Sequence, residues 1–267
     1  MNPPTQPCRA LEPDTGDFRF GPVDRERLAR YLEVPSAEAL DPVTREEIDR
    51  LDRGRDELLG FWRRAVAVPI DRIDGRWIEL EGGLRLRSIG TYSRQLCDYE
   101  ADWLIVTAFT VGASVDARVK RHLARGELFE AFVLNQWAAV MTEQARAWLT
   151  HALCAWADRH GRSLLPYHGP GYNGWPLEEM APLLRVLGAS GASCSASSVH
   201  ATDAGLLKPL HSMLIVYGAT PRRVLLTRAE NLAQCHRCAM RNCRYRVAPM
   251  DPGIMPEIAG LAAETLS

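Results

Sequence analysis

Along the chain, apolar residues switch between helical spacing and strand-like alternation, with glycine and proline at the switches. A polar, proline-rich opening reads as a loose N-terminal arm over residues 1–22. A short helix is predicted near Asp24–Leu32, with the Asp24 carboxylate as its N-cap. Asp41-Pro42 opens a second, charge-dense helix expected to run from Val43 to about Val66. Trp77-Ile-Glu-Leu-Glu and Leu84-Arg-Leu-Arg-Ser alternate on either side of Gly82-Gly83. That pattern predicts a β-hairpin, since glycine accepts the positive φ of a tight turn. The unbroken apolar run Leu104–Val111, closed by Gly112, is short enough for a buried strand.

Glu127 to His160 contains neither glycine nor proline. Its apolar residues recur at helical spacing but spread around most of the circumference, which predicts a long helix in the middle of the domain. Such a helix would span about 50 Å. Phe129, Phe132, Val133, Trp137, Val140 and Met141 fall close to one face and are expected in the core. A glycine- and proline-rich loop, 166–176, then leads into a helix over Leu177–Leu187. Beyond the small residues of Gly188–Ser198, two further strands are predicted, Met213–Tyr217 and Val224–Thr227. Neither an internal repeat nor a linker interrupts the pattern. The expected architecture is one α+β domain over residues 23–230, a mixed or antiparallel sheet packed with long helices. A cysteine-rich segment (231–247) and a C-terminal tail (248–267) follow.

Composition narrows the class. With 267 residues, 46% apolar and 24% charged, the chain has the make-up of a soluble globular protein with room for a sizeable core. No apolar run reaches the roughly 18 residues a membrane helix needs, and the N-terminus lacks the apolar stretch of a secretory signal. A cytoplasmic protein without a membrane partner is expected. A net charge of −1 also argues against nucleic acid as the partner. Locally the balance differs: Arg222–Arg246 holds seven arginines against the single acid Glu230.

That basic segment also holds three of the seven cysteines. Cys97 and Cys154 are expected to be small buried apolar side chains. Cys235, Cys238 and Cys243 are spaced C-x2-C-x4-C, which lets one short segment aim three thiols at one metal centre. Two identities stay open. Zinc wants four tetrahedral ligands, so a fourth would come from His236, Cys194 or another histidine. A 4Fe–4S cluster can leave one iron open to an outside ligand. The flanking arginines favour deprotonated thiolates in either case.

The loop at 166–176 places Tyr172, His168, Asn173 and Trp175 among glycines that let a ligand approach the backbone. Gly169-Pro170-Gly171-Tyr172-Asn-Gly-Trp-Pro-Leu-Glu-Glu resembles the hallmark loop of the activation domain of cobalamin-dependent methionine synthase, and especially of its stand-alone bacterial relatives. Thr107-Ala-Phe-Thr-Val-Gly112 followed by Val115-Asp116 is similar to that family's strand and Thr-x-Gly turn. The long helix with Glu143 near its middle, and Leu207–Met213 with its Pro-x-x-Ser, agree in order.

The resemblance implies a domain that binds S-adenosylmethionine and supports reductive methylation of cobalt on a corrinoid-carrying partner. Cobalamin would thus be met through the partner. It further implies ligand contacts at Gly169, Pro170, Gly171 and Tyr172, with Glu143 as an additional candidate. Stand-alone relatives carry a similar cysteine segment ending in Cys-x-Tyr-Arg, as Cys243–Arg246 does here. An iron–sulfur cluster there would bring in a flavodoxin- or ferredoxin-like reductant. One position departs: the family loop opens with an arginine that helps hold the methionine carboxylate, and here Tyr167 stands in its place. The alternative is a non-catalytic corrinoid-protein-binding or chaperone module with a structural zinc site.

Overall fold

The computed structural model describes residues 13, 15, 17–172, 175–188, 199–224, 235, 243 and 246. Seven α-helices and eight strands occur among them. In chain order they are α1 (Arg25–Tyr31), α2 (Pro42–Arg53), α3 (Arg55–Leu58), β1 (Trp62–Asp74), β2 (Trp77–Leu80), β3 (Leu84–Arg87) and α4 (Gly90–Asp98). Then come β4 (Trp103–Thr110), α5 (Ala113–Ala124), α6 (Leu128–Arg159), β5 (Ser163–Leu164), α7 (Met180–Gly188), β6 (His200–Ala201), β7 (Leu207–Lys208) and β8 (Ser212–Thr220). Six strands form one sheet in the order β3-β2-β1-β4-β8-β5, every neighbouring pair antiparallel; β6 and β7 form a separate ribbon.

Asp24 caps α1 by accepting the Arg27 amide at 2.9 Å, as its carboxylate predicts. Asp41 caps α2, with Pro42 at the first helical position, where a missing N–H costs nothing. The expected helix from Val43 to Val66 is corrected here. Helix α2 ends at Arg53, and Trp62 onward is strand β1, in unbroken register with β4 from Trp62↔Thr110 to Pro69↔Trp103. Gly54 and Gly60 divide the two. At Gly60 the chain is bonded to the far end of β4, its amide donating to Val111 O at 2.9 Å.

Strand β4 lies between β1 and β8 and all but its first residue are buried, which accounts for its continuous apolar run. Successive side chains point to opposite faces, so two cores form. On one face Val66, Leu104, Val106, Leu214 and Val216 pack with α4 and α7. On the other, Ala67, Ile105, Phe109, Ile215 and Tyr217 meet Ala145, Leu149, Leu153 and Trp156 of α6. A third core joins α1 and α2 to the first half of α6.

Helix α6 is a single unbroken element of 32 residues. Its first half buries Ala131, Val133, Leu134, Trp137, Ala138, Val140 and Met141, while Leu149, Thr150, Leu153 and Ala157 mark the buried arc of the second half. At 100° per residue these arcs lie about two-fifths of a turn apart. One helix therefore serves two cores with different faces, and its apolar residues cover the circumference. Phe129 and Phe132, expected in the core, are instead 40% and 46% exposed: Phe132 projects from the side opposite the first arc, and Phe129 lies at the edge of that arc in the first turn of the helix. Cys97 is a further correction: it is exposed near the end of α4, not buried. Among the described residues no helix is long and apolar enough to cross a membrane.

The predicted strand Val224–Thr227 lies outside the described residues beyond Val224, and so do Gly188–Ser198 beyond Gly188 apart from its flank at Val199. Residues 17–22 of the expected loose arm pack on the domain. Phe18 and Phe20 make ring contacts with Phe61, Phe18 also touches Trp148, and the Gly21 amide donates to Gln144 Oε1 at 3.0 Å.

Candidate functional site

The glycine-proline loop extends the sheet past β5. Leu165 N donates to Gly218 O, and His168 exchanges both backbone hydrogen bonds with Val216 at 2.8 Å, so the loop runs as an edge along β8. Gly169 lies so close to β8 that a Cβ there would sit 2.8 Å from Leu214 O. The chain then turns: Tyr172 N donates to Gly169 O, Gly171 at φ +86° donates to Trp175 O, and Trp175 N returns a bond to Tyr172 O. Only glycine takes that φ without strain. Trp175 anchors the turn from below, its indole donating to Arg87 O at 2.9 Å and its ring lying against Tyr92 and His168. Tyr172 is 39% exposed at the tip, a large aromatic presented to solvent by a fixed backbone. Asn173 and Gly174 lie outside the described residues.

Beneath the loop, α6 contributes a buried polar cluster. Arg146 Nε donates to Glu143 Oε2 at 2.8 Å, one helical turn away; the Arg146 side chain is 4% exposed and that of Glu143 21%. The guanidinium carbon stands 5.3 Å from the centre of the Tyr167 ring, a cation–π contact. Tyr167 meets Tyr217 edge-on, and the Tyr217 hydroxyl shares a 2.8 Å hydrogen bond with Thr150 Oγ1, also from α6. Burial works against the Arg146 charge, but the Glu143 carboxylate outweighs it and raises the guanidinium's pKa. Burial likewise pushes the Tyr167 and Tyr217 phenols up, so both stay neutral hydrogen-bonding groups. Glu143 is thus joined through Arg146 to Tyr167 at the head of the loop. Arg146, Tyr217 and Thr150 were not singled out from sequence; the one signal for Arg146 is a lone arginine between two alanines in an apolar stretch of helix.

A second pair of buried polar groups lies at the turn after β4. His211 is buried, and Asp116, in the first turn of α5, accepts from Leu210 N at 2.8 Å. His211 Nε2 and Asp116 Oδ1 are buried without a hydrogen-bond partner among the described residues.

Of the three clustered cysteines, Cys235 and Cys243 are half-buried, and Cys238 lies outside the described residues. Cys235 packs against the apolar cluster that contains Tyr167 and Tyr217. Arg246 bonds to both cysteines: its guanidinium donates to Cys235 O at 2.6 Å and its amide to Cys243 O at 3.1 Å. Among the described residues no group of three or more His, Cys, Asp or Glu gathers to hold a metal. Of the segment's arginines, Arg222 is paired with Glu100.

No protein-family model matches the sequence, and no curated protein matches it. Among solved structures the molecule is similar to the MetH reactivation domain, crystallised bound to AdoHcy. The match covers 82% of this chain and 82% of that one, with a TM-score of 0.51 at 16% identity. The chain has the fold of that reactivation domain. The α+β architecture expected from sequence is therefore the observed one, with a sheet that is antiparallel throughout. Within this reactivation-domain fold, Tyr167 at the head of the loop lies on the α6 side of the sheet edge, linked to Glu143 through Arg146, and Cys235 packs into the same layer.

Proposed function

We propose that the protein serves in the reactivation of a corrinoid protein, binding an S-adenosyl ligand at the Gly169–Tyr172 loop and supporting reductive methylation of the partner's cobalt. The observation that carries the reading is the fold shared, over 82% of both chains, with a domain crystallised with AdoHcy. The built loop supports it: a fixed turn presents Tyr172 to solvent, and Tyr167 at the head of the same loop packs on Arg146, which is paired with Glu143. S-adenosylmethionine is the methyl donor in this reading, and the corrinoid arrives on its carrier protein.

Cys235, Cys238 and Cys243 are proposed to hold a metal centre. Their C-x2-C-x4-C spacing supports this. When bound, an iron–sulfur cluster there would supply the single electron that reduction of cobalt needs, drawn from a flavodoxin- or ferredoxin-like donor. The chain's own part is to hold the thiolates among arginines that offset their charge.

Calorimetric titration with S-adenosylhomocysteine tests the ligand half. The wild-type protein is expected to bind, and Tyr172→Ala to bind more weakly at an unchanged melting temperature; equal affinities would remove the loop from the site. Metal analysis of anaerobically purified protein tests the other half. Iron with sulfide, lost in Cys235→Ser, Cys238→Ser and Cys243→Ser, is the expected result. Zinc in a colourless protein would leave the fold as a corrinoid-protein-binding module without electron transfer.

A further inference from the structure

Arg146 carries a hydrogen-bonding capacity that none of the described residues uses. Its guanidinium has five N–H donors and cannot shed its charge. Nε is taken by Glu143, and the Tyr167 ring covers the group. Nη1 is buried and has no hydrogen-bond partner among the described residues. A donor of a charged group left unmet in a buried place is costly, and native proteins keep few of them. This one lies against Tyr167 at the head of the loop, with Glu143 beside it and partly open to solvent.

We infer that Arg146 and Glu143 together form the receptor for a zwitterionic α-amino-acid group: the ligand's carboxylate accepts from Arg146 Nη1, and its ammonium donates to Glu143. The inference rests on the reading that the loop binds a small molecule, and it names that molecule's chemistry. Charge accounting decides between anions. The Glu143–Arg146 pair is neutral, so a phosphate would leave its charge uncompensated beside a carboxylate, whereas a zwitterion brings one charge of each sign to the matching side. The helix sets the spacing, because residues three apart stand side by side on its surface. Tyr167, stacked on the guanidinium, holds the planar group in place. The carboxylate clamp thus comes from α6, and position 167 has no need of an arginine.

Two nucleosides that differ only at this end separate the possibilities in calorimetric titrations of the full chain. S-adenosylhomocysteine carries the amino-acid group and 5′-methylthioadenosine lacks it. The wild-type protein is expected to prefer the former. Arg146→Gln should weaken S-adenosylhomocysteine about 10- to 100-fold and leave methylthioadenosine unchanged, with Arg146→Lys in between, since a point charge replaces a planar fork. Equal weakening of both ligands, or none, in a variant with native circular dichroism overturns the inference. Should Arg146→Gln fail to fold, the wild-type comparison decides: no preference for the amino-acid ligand overturns it equally. Binding of neither nucleoside by the wild type removes the loop-site reading itself, a result distinct from binding both alike.

Discussion

The His211 ring is buried beside the first turn of α5, and burial holds its imidazole below the ordinary value, with Asp116 pulling the other way. The unfolded chain titrates at about 6.5. Between the two values the unfolded state binds more protons, so stability rises with pH; the contribution is complete above about pH 6.5 and is lost as pH falls towards the folded value. The melting temperature of the wild type should therefore drop between about pH 7 and pH 5 by more than that of His211→Asn. Identical slopes would place the pH dependence elsewhere. Cysteines make a second contrast at this scale. Burial, aided by Asp158, pushes the Cys154 thiol up to about 11, while Cys97 is exposed. Iodoacetamide at about pH 8 should modify Cys97 well before Cys154, because Cys97 is exposed while burial both shields the Cys154 thiol and keeps it protonated. Mass spectrometry of partially labelled protein would register the reverse order if Cys154 were the accessible thiol.

Between elements, close backbone contacts set the geometry that the site inherits. Gly112 follows β4 at φ +107°, and a Cβ on it would stand 2.9 Å from Gly60 N. Gly112→Ala combines that clash with a strained φ, and a loss of about 1–3 kcal/mol in urea unfolding is expected. Gly126→Ala is a control: its φ is also positive, but nothing lies within 4 Å of the added methyl, so any excess at Gly112 measures the contact with Gly60. The elements differ in how plainly the sequence announces them. The hairpin β2–β3, the buried β4 and the long α6 follow period or unbroken apolarity, signals that survive in one dimension. Strand β1 does not, because Arg63, Arg64 and Pro69 disguise a strand whose pairing partner lies some forty residues downstream. The glycine-tyrosine loop was legible from its composition. Arg146 was not, since its meaning depends on which arc of α6 turns to the sheet, and that arc changes along the helix.

At the scale of the molecule, α6 joins the helical core of α1 and α2 to the sheet, and Glu143 and Arg146 sit where its buried face passes from one to the other. The N-terminal segment closes this junction from outside. Thr15 Oγ1 accepts from Arg63 of β1, Phe18 lies against Phe61 and Trp148, and Gln144, adjacent to Glu143, accepts from Gly21 N and donates to Pro22 O. A strap of a few residues thus ties strand β1 to the very turn of α6 that carries the acid–arginine pair. Its hold comes from half-buried aromatic surface, so Phe18→Ala should cost about 1–3 kcal/mol at about 25 cal/mol per Å² of apolar area returned to water. Arg19, exposed between the two phenylalanines, provides the control, and Arg19→Ala should leave stability unchanged. If both variants unfold at the wild-type urea concentration, the segment rests on the surface without bracing it. If Phe18→Ala alone is destabilised and also binds S-adenosylhomocysteine more weakly, the strap contributes to holding Glu143 and Arg146 in register with the loop.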